Sequence, residues 1–523
     1  MSGGSGGNLA QPGGVGGTGF TGAAGGNGGS GAGGGGGAAG GGAGGLGGFL
    51  FGHGGNGGAG GENGTVIDAS QSSFDIINST GGNGGNGDDG PLAISPDGFL
   101  FNLGGGGGGA GGYGVIVQGS TNVTVLSAIS GGNGGDGGAS PETFGASGGD
   151  GGGGGDGGVG IFFATIGATL TNSNFGLITG GSGGTGGSGL ERGGNGGNGG
   201  DGVLFAAGAA TFVNYGTVIG GNGGAGGPGN LDNGASGAGG VGVSGANLAI
   251  VDSGTIFGGG NGDGVTRADA IDFTGGVNSL ELLAGYALLG KVVAFSAADT
   301  LILGGSSNST FDLSQLGSQF IGFGTLKIAS TAWVLTTTQG FTTQLQVELD
   351  ANGTVDTNGS NGTLSGLISG DGGLIKSDAG VLTLSHSNAY SGGTFLNGGT
   401  LDLAALGAAG AGQITFGAGS TEILKIENAA LSPVTSTLNS FGNPIQGIGV
   451  GDIIDLTGLT FAKNEKVSYN PNTDILSVTS GGVTDNLTVV APQGATFALS
   501  SDGAHGTDVT LVGVAHGGHG HGL

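Results

Sequence analysis

Residues 112–136 read GYGVIVQGSTNVTVLSAISGGNGGD, and similar units begin again at residues 158, 200 and 240. Each unit contains a short apolar run, then a Thr/Asn/Val stretch, then an apolar pair, with a turn between one and the next. A glycine-rich run follows the apolar pair. Equivalent glycines are Gly114, Gly160, Gly202 and Gly242, at spacings of 46, 42 and 40 residues. A period in this range predicts a repeat architecture in which each unit buries its face against the next unit.

The residue pattern inside the units indicates strands rather than helices. Apolar and polar residues alternate at residues 168–172, and the 3.6-residue period of an amphipathic helix is missing almost everywhere. The GGN and GGA triplets have a period of three, which is the period of a polyproline-II-type helix that glycine can also adopt. The sequence therefore predicts an all-β parallel solenoid (β-helix), with the glycine runs forming either long loops or polyglycine-II-like layers.

Changes in composition predict five segments. They are a glycine-rich N-terminal tract (1–64), a glycine-rich repeat solenoid (65–264), a β-helix of lower glycine content (265–430), a C-terminal β module (431–512) and a His/Gly tail (513–523).

Composition excludes several classes of protein. Of 523 residues, 148 are glycine and only nine are proline, so collagen is excluded, and 35% apolar residues argue against ordinary disorder. The formal net charge is −27 with eight basic residues, so we expect neither nucleic acid nor an anionic membrane surface as a partner.

Three features bear on export. Cysteine is absent, so folding would not depend on redox state. The first residues, MSGGSGGNLAQPGG, lack the basic and apolar regions of a signal peptide, and no stretch is apolar enough for a membrane helix. We therefore expect a secreted protein without membrane insertion. Either it carries another export signal, such as a C-terminal one, which we favour, or the sequence lacks its leader.

Residues 371–403 resemble the autotransporter-associated β-strand repeat. The matching positions are Gly372, Gly373, Leu374, Lys376, Leu382, Thr383, Leu384, Tyr390, Gly392, Gly393, Thr394, Asn397, Gly399, Thr400 and Leu401. Asp378 stands where that repeat often has glycine. The resemblance implies a passenger-like, right-handed parallel β-helix. The resemblance is incomplete, because we expect no translocating barrel within the chain. A cysteine-free, acidic, glycine-rich chain of this kind also resembles a type I secretion substrate, whose export signal lies at the C-terminus.

Candidate metal ligands lie in the glycine runs and the tail. The calcium-binding nonapeptide GGxGxDxUx is matched from Gly196 to Leu204, and partly from Gly131 to Ala139 and from Gly84 to Pro91. These matches are far apart, whereas a calcium-binding β-roll needs consecutive nonapeptides, so we expect no metal site there. His516, His519 and His521 lie in a tail that we expect to be solvated.

Candidate catalytic groups are similarly isolated. Ser385, His386 and Ser387 are adjacent but belong to no catalytic motif, and Asp68, Asp75 and Asp252 have no nearby basic residue. We therefore predict no catalytic site and no cofactor. Two structural roles are expected: Trp333 in the core, and a corner ladder formed by the similarly placed asparagines Asn122, Asn172, Asn214 and Asn247.

These observations predict an extracellular structural protein of a Gram-negative bacterium, either a self-assembling filament or biofilm matrix component or an adhesin. Its expected partners are further copies, as a homo-oligomer or end-to-end polymer, and a host or matrix surface. A carbohydrate-binding or ice-binding surface protein is the alternative, and a polysaccharide-degrading β-helix enzyme is a further one.

Overall fold

A computed structural model describes residues 55–68, 73–94, 98–118, 122–141, 148–164, 166–337, 339–418 and 421–514. They form two compact units. The first consists of residues up to 281 together with 285–299 and 319–322, and the second of residues 282–284, 300–318 and those from 323 onward. The predicted division into five segments stays a prediction.

The first unit is a parallel β-helix with three sheets, and each of its first six turns adds one short strand to each sheet. Sheet A contains Thr65–Asp68, Val115–Gln118, Ile161–Phe163, Val203–Phe205, Val243–Ala246, Ile271–Gly275, Val292–Val293 and Phe320–Ile321. Sheet B contains Ser73–Ile76, Asn122–Val125, Thr169–Asn172, Ala210–Asn214, Leu248–Asp252 and Ser279–Leu282. Sheet C contains Ser79–Thr80, Ala128–Ser130, Leu177–Thr179, Thr217–Ile219, Thr255–Phe257 and Ala287–Leu289. A separate antiparallel hairpin pairs Leu92–Ile94 with Leu100–Asn102.

Alternating residues of these strands form the core. In Ala210–Asn214, the first, third and fifth residues are buried. Apolar residues stack on their equivalents in the next turn, as Phe163 does on Phe205, with 5.2 Å between ring centroids. Burying each large apolar side chain contributes about 1.5–3 kcal/mol, which explains why the strands keep their register although the runs between them vary in length.

The glycine runs are ordered segments that extend sheets A and C. After each of the first four sheet C strands the chain continues as a glycine segment, reverses direction, and returns as a second glycine segment into the next strand of sheet A. Thr255–Phe257 is followed by a shorter outgoing segment, and Ala287–Leu289 leads directly into Val292–Val293. We call the outgoing segments column 2 (residues 81–90, 131–140, 180–189, 220–229 and 258–262) and the returning segments column 1 (residues 55–64, 104–114, 150–160, 193–202 and 232–242).

Within a segment, hydrogen bonds repeat every three residues. In residues 131–140, the N–H groups of Gly131, Gly134 and Gly137 donate to the parallel segment that follows in column 2, at 2.8–2.9 Å. Those of Gly132, Gly135 and Gly138 donate to the antiparallel segment of column 1 that precedes it, at 2.8 Å. A three-residue helix makes no hydrogen bonds within itself, so its N–H groups are free for such neighbours.

Close approach of these backbones explains the repeated Gly-Gly-X triplet. A Cβ at Gly134 would lie 1.9 Å from the carbonyl oxygen of Gly155, and one at Gly135 would lie 2.0 Å from that of Gly85. In interior segments such as residues 131–139, the first two positions of a triplet therefore require glycine, and only the third can carry a side chain. The predicted parallel solenoid is confirmed, and its glycine runs form polyglycine-II-like layers rather than loops.

The second unit also has three sheets and ends in antiparallel hairpins. Sheet D contains Thr300–Leu303, Thr325–Ile328, Gln346–Leu349 and Ile368–Ser369. Sheet E contains Ser309–Asp312, Trp333–Thr336, Gly353–Asp356, Leu374–Ser377, Thr394–Leu396, Ile414–Phe416, Ile445–Gln446, Val483–Val490, Leu438–Ser440 and Ser432–Thr435. Sheet F contains Phe341–Thr343, Gly362–Leu364, Val381–Leu384, Thr400–Leu403, Ile423–Ile426, Ile453–Leu456, Thr507–Val514 and Ala495–Ser501.

The terminal hairpins cover the last parallel turn of this unit. Thr507–Val514 runs antiparallel to Ile453–Leu456 and pairs on its other side with Ala495–Ser501. Lys466–Asn470 and Ile475–Ser480 extend the hairpin system beside Val483–Val490. Two single 3-10 turns, Leu313–Gln315 and Asn428–Ala430, are the helical elements of the described residues.

Candidate functional site

The third positions of the column 2 triplets form a polar surface, which we call the Asx face. Because two residues of each triplet are glycine, only the third residue has a side chain, and that side chain points away from the array. The residues of the Asx face are mostly exposed and polar. The Asx face consists of Asn83, Asn86, Asp89, Asn133, Asp136, Ser182, Thr185 and Asn222.

Hydrogen bonds to the backbone hold the Asx face in ranks. The N–H of Asn133 donates to Oδ1 of Asn83 at 2.9 Å, and Oδ1 of Asn133 accepts from the N–H of Ser182 at 2.9 Å. In the next rank, Oδ1 of Asp136 accepts from both the N–H and the hydroxyl of Thr185, at 2.7 and 2.8 Å. Asn and Asp suit this role because their side chains are just long enough to place an acceptor on the adjacent segment.

Column 1 carries a second ladder of the same kind. Oδ1 of Asn195 accepts from the N–H of Ala235, and Oδ1 of Asn198 from that of Ala238, both at 2.9 Å. Asp156 makes the corresponding bond to Asn198 at 2.7 Å. Sequence reasoning missed both ladders, although Asn or Asp at the third position of successive triplets is the signal that marks them.

The Asx face leaves a regular set of hydrogen-bonding groups for a ligand. Because Oδ1 of each asparagine is engaged by the backbone, its amide nitrogen remains as a fixed donor, and no described residue accepts from Nδ2 of Asn83, Asn133 or Asn222. Three residues of such a helix rise about 9 Å, and neighbouring segments lie about 4.8 Å apart. The surface can therefore offer donors and hydroxyls on a two-dimensional grid.

The stretches that match the calcium-binding nonapeptide, where we expected no metal site, lie mainly inside these segments, and their carboxylates accept hydrogen bonds from the backbone. Asp201 accepts from the N–H of Val241 at 2.9 Å and from the Ser244 hydroxyl at 2.6 Å, and burial raises its pKa. Asp89 accepts from the N–H of Ala139 at 2.7 Å. Within the described ranges, no group of three or more His, Cys, Asp or Glu side chains could hold a metal ion. His516, His519 and His521 lie outside the described residues.

A buried polar ladder occupies one corner between sheets B and C. Nδ2 of Asn172 donates to Oδ1 of Asn214 at 2.8 Å, and Nδ2 of Asn214 donates to Oδ1 of Asp252 at 2.7 Å. Desolvation raises the pKa of Asp252 to about 6. The predicted corner ladder is thus confirmed for Asn172 and Asn214.

The other two predicted members of that ladder lie elsewhere. Asn122 aligns with Ser73 at the start of its strand, and Asn247 lies at another corner in the left-handed backbone region, with φ of 52°. Variable turns place these two outside the ladder of Asn172 and Asn214, but both still bond to the next turn. Oδ1 of Asn122 accepts from the N–H of Thr169 at 2.9 Å, and Oδ1 of Asn247 accepts from that of Val277 at 3.4 Å.

The motif at residues 371–403 has a structural role throughout. Lys376 is fully buried, and its Nζ donates to the carbonyl oxygens of Ser377, Asp378 and Gly398 at 2.6–3.2 Å. Burial lowers its pKa to about 8. Asp378 has φ of 61°, which is the physical reason that glycine is common at this position. Tyr390 is buried and its hydroxyl lies 2.6 Å from that of Thr394.

The candidate catalytic residues do not converge. His386 is exposed, and its Nδ1 lies 2.7 Å from the carbonyl oxygen of Ser387 rather than near a hydroxyl. Asp75 is exposed on one face of sheet B, whereas Asp252 is buried at a corner, and Asp68 is in sheet A. Trp333 is fully buried and donates to the carbonyl oxygen of Gly304 at 2.7 Å, which confirms its predicted place in the core.

Comparison with known proteins agrees with the passenger-like repeat. Residues 374–403 match the model of the passenger-associated-transport-repeat family. The chain resembles an autotransporter passenger. It is also 32% identical over 196 residues to the adhesin BmaC autotransporter of Brucella suis, an alignment that covers 36% of this chain and 5% of that adhesin. The resemblance inferred from the sequence is therefore confirmed, and the chain spans only a small fraction of the curated relative's length.

This likeness supports the expectation that the protein is secreted or displayed at the cell surface. In the part of the chain that the structure describes, no helix has the length and apolar character needed to cross a membrane.

Proposed function

We propose that the protein is an extracellular, non-enzymatic adhesin of a Gram-negative bacterium, in which a repeat scaffold presents a rigid polar surface to a host or matrix surface. Similarity to an autotransporter adhesin supports the adhesive role. The main observation behind the proposal is the Asx face, because hydrogen bonds hold its side chains in ranks before any ligand binds. A preformed surface loses little conformational freedom on binding.

Neutral carbohydrate is the ligand that best suits the Asx face. The free groups are amide donors and hydroxyls, which match the many hydroxyl oxygens of a sugar chain. Asp89 and Asp136 disfavour anionic ligands, and no basic residue belongs to the face. Binding to a neutral ligand should also depend little on salt, because no charged pair forms across the interface.

Binding to insoluble polysaccharides and to a panel of immobilised glycans tests this function. The variant Asn83→Ala, Asn133→Ala, Asn222→Ala should lose most of the binding. The matched control is Asn195→Ala, Asn198→Ala, which removes the same backbone hydrogen bonds from column 1 but leaves the Asx face intact. Equal loss in both variants would show that the ladders act only in stability, and binding retained by the first variant would exclude the Asx face.

Assembly between copies is a second candidate, supported by the edge strand Ala495–Ser501. This strand ends sheet F, and its sequence ATFALSS contains neither charge nor proline. Such an edge can pair with a strand of another molecule. The variant Ala498→Lys should reduce polymer formation, measured by sedimentation and electron microscopy at high concentration. Absence of any ordered polymer in the unmodified protein would reject assembly without affecting adhesion.

A further inference from the structure

Every asparagine of columns 1 and 2 is followed by glycine, which is a chemically labile combination in an unfolded chain. The amide nitrogen of the glycine can attack Cγ of the asparagine, because glycine has no Cβ to obstruct the approach. A bond forms between that nitrogen and Cγ, the bond from Cγ to Nδ2 breaks, and ammonia leaves with the proton of the attacking nitrogen. Water then opens the resulting five-membered imide to aspartate or isoaspartate.

In the array, one neighbouring residue holds both groups that would have to react. The N–H of Asn133 donates to Oδ1 of Asn83 at 2.9 Å, and the carbonyl oxygen of Asn133 accepts from the N–H of Gly84 at 2.8 Å. We call this pair of hydrogen bonds the Asx clamp. It fixes the asparagine side chain and the nitrogen of the following glycine on the next segment, so neither group can turn toward the other.

The Asx clamp recurs along both columns, with distances of 2.7–3.0 Å. It holds the Asn-Gly steps that begin at Asn63, Asn86, Asn133, Asn195, Asn198 and Asn222. Asn133 and Asn222 are exposed although both are clamped. Any protection of these residues must therefore come from the hydrogen bonds rather than from exclusion of water.

The Asn-Gly step at residues 358–359 lacks the clamp because it lies in a tight turn. The N–H of Ser360 donates to the carbonyl oxygen of Thr357 at 2.8 Å, and Asn358 and Gly359 have φ of 46° and 76°, as in a type I′ turn. Such a turn binds the N–H of its fourth residue and leaves that of its third residue free. In the part of the chain that the structure describes, no group accepts from the N–H of Gly359 and none donates to Oδ1 of Asn358, which is exposed.

We propose that Asn358 is a site of spontaneous modification, converted to aspartate and isoaspartate by attack of the Gly359 nitrogen, whereas the Asx clamp keeps the asparagines of the array intact. Each other described Asn-Gly step without the clamp retains a hydrogen bond to its asparagine side chain or has a buried glycine. Asn56, for example, donates from Nδ2 to Asp88 at 3.1 Å.

The clamp has a consequence for the Asx face. Deamidation of Asn83, Asn133 or Asn222 would replace the donor Nδ2 with a carboxylate oxygen, and the surface would lose the groups that we assign to ligand binding. This consequence rests on the proposed function, whereas the modification of Asn358 does not.

Peptide mapping by mass spectrometry tests the proposal on the full-length folded protein after incubation in mildly alkaline buffer. Asn358 should be deamidated about 10-fold or more faster than Asn133, because reaction at Asn133 requires local opening of the array. Asn352 is the matched comparison, since it also precedes a glycine but is clamped by Gly373 at 2.7 and 2.9 Å. It should react as slowly as Asn133.

The same measurement in denaturant separates the effect of the fold from that of the sequence. There the three asparagines should react at similar rates, because each is followed by glycine and none is clamped. The variant Asn358→Gln should remove the fast release of ammonia from the folded protein, because a six-membered ring closes more slowly.

Two results would overturn the proposal. One is an equal rate for Asn358 and Asn352 in the folded protein, and the other is a rate for Asn358 that folding suppresses as strongly as it suppresses that of Asn133. The mass readout does not depend on ligand binding, so a failure of the proposed adhesive function would leave this test unaffected.

Discussion

At the scale of single residues, the glycine content has a specific cause. In interior array segments, a Cβ added at either of the first two positions of a triplet would lie about 2 Å from a neighbouring carbonyl oxygen, as at Gly131 and Gly132, where the distance is 1.9 Å. No rotamer change can relieve such a contact, because both atoms belong to backbones. Glycine in these runs therefore has the same role as in collagen, where it permits three-residue helices to approach closely.

Substituting one of these glycines should be costly although no side chain is lost. Gly134→Ala places a Cβ 1.9 Å from the carbonyl oxygen of Gly155 and should reduce the free energy of unfolding by about 2–3 kcal/mol. Gly442→Ala is the control, since no atom lies within 4 Å of its added Cβ. Chemical denaturation of both variants measures the difference, and equal stabilities would argue against close packing of the run.

The buried amine of Lys376 should matter through its three hydrogen bonds. Lys376→Met keeps the apolar stem but leaves the carbonyl groups of Ser377, Asp378 and Gly398 without their donor, so we expect a loss of about 3 kcal/mol. Lys463→Met, at an exposed position, should change stability by less than about 0.5 kcal/mol. A small effect of Lys376→Met in thermal and chemical unfolding would mean that the amine is dispensable for this turn.

At the scale of elements, the polar corner between sheets B and C makes stability depend on pH. The pKa of Asp252 is raised to about 6 by desolvation, so the folded state binds a proton more readily than the unfolded chain. The contribution of this group to stability is complete below pH 4 and is lost as pH rises through 6.

Replacing the carboxyl group with an amide should remove that dependence. Asp252→Asn retains an acceptor for Asn214 and should raise stability at pH 7 by on the order of 2 kcal/mol, with little effect at pH 4. Thermal melts at several pH values test this, with the exposed Asp75→Asn as control. A pH profile of Asp252→Asn that parallels the unmodified protein would place the titrating group elsewhere.

The strands were predictable from the sequence, whereas their alignment was only partly so. Alternation in residues such as 168–172 indicates strands, and the repeat spacing indicates parallel stacking, because both depend on local pattern. The equivalence of Asn122 with Asn172 could not be settled in the same way, since turns of different length shift the register. The Asx face was also missed, because a ladder between residues about 50 positions apart is visible only once the segments lie side by side.

At the scale of the whole molecule, the glycine-rich repeats are part of the folded structure rather than spacers. Four turns of the first unit continue from sheet C into column 2 and return through column 1 into sheet A. Hydrogen bonds therefore link successive turns both in the β-helix and in the array. The array thus adds a large ordered surface that is held together by backbone hydrogen bonds rather than by apolar side chains.

Calcium should not be needed for this structure. The aspartates of the nonapeptide-like stretches accept hydrogen bonds from backbone N–H groups, as Asp136 does from Thr185. We expect circular dichroism of the chelator-treated protein to change little when calcium is added. A cooperative transition from coil to β-structure on addition of calcium would instead mean that these carboxylates are metal ligands.

The most direct test of the account is amide hydrogen exchange of the glycine runs at residues 131–140 and 220–229, followed by nuclear magnetic resonance. If the runs form a hydrogen-bonded array, the amides at the first and second triplet positions will exchange about 100-fold or more slowly than those of an unstructured glycine chain. Their protection will be similar to that of the strands in sheets A and C. Exchange at the rate of an unstructured chain, with protection confined to the strands, would contradict the account and make the glycine runs loops.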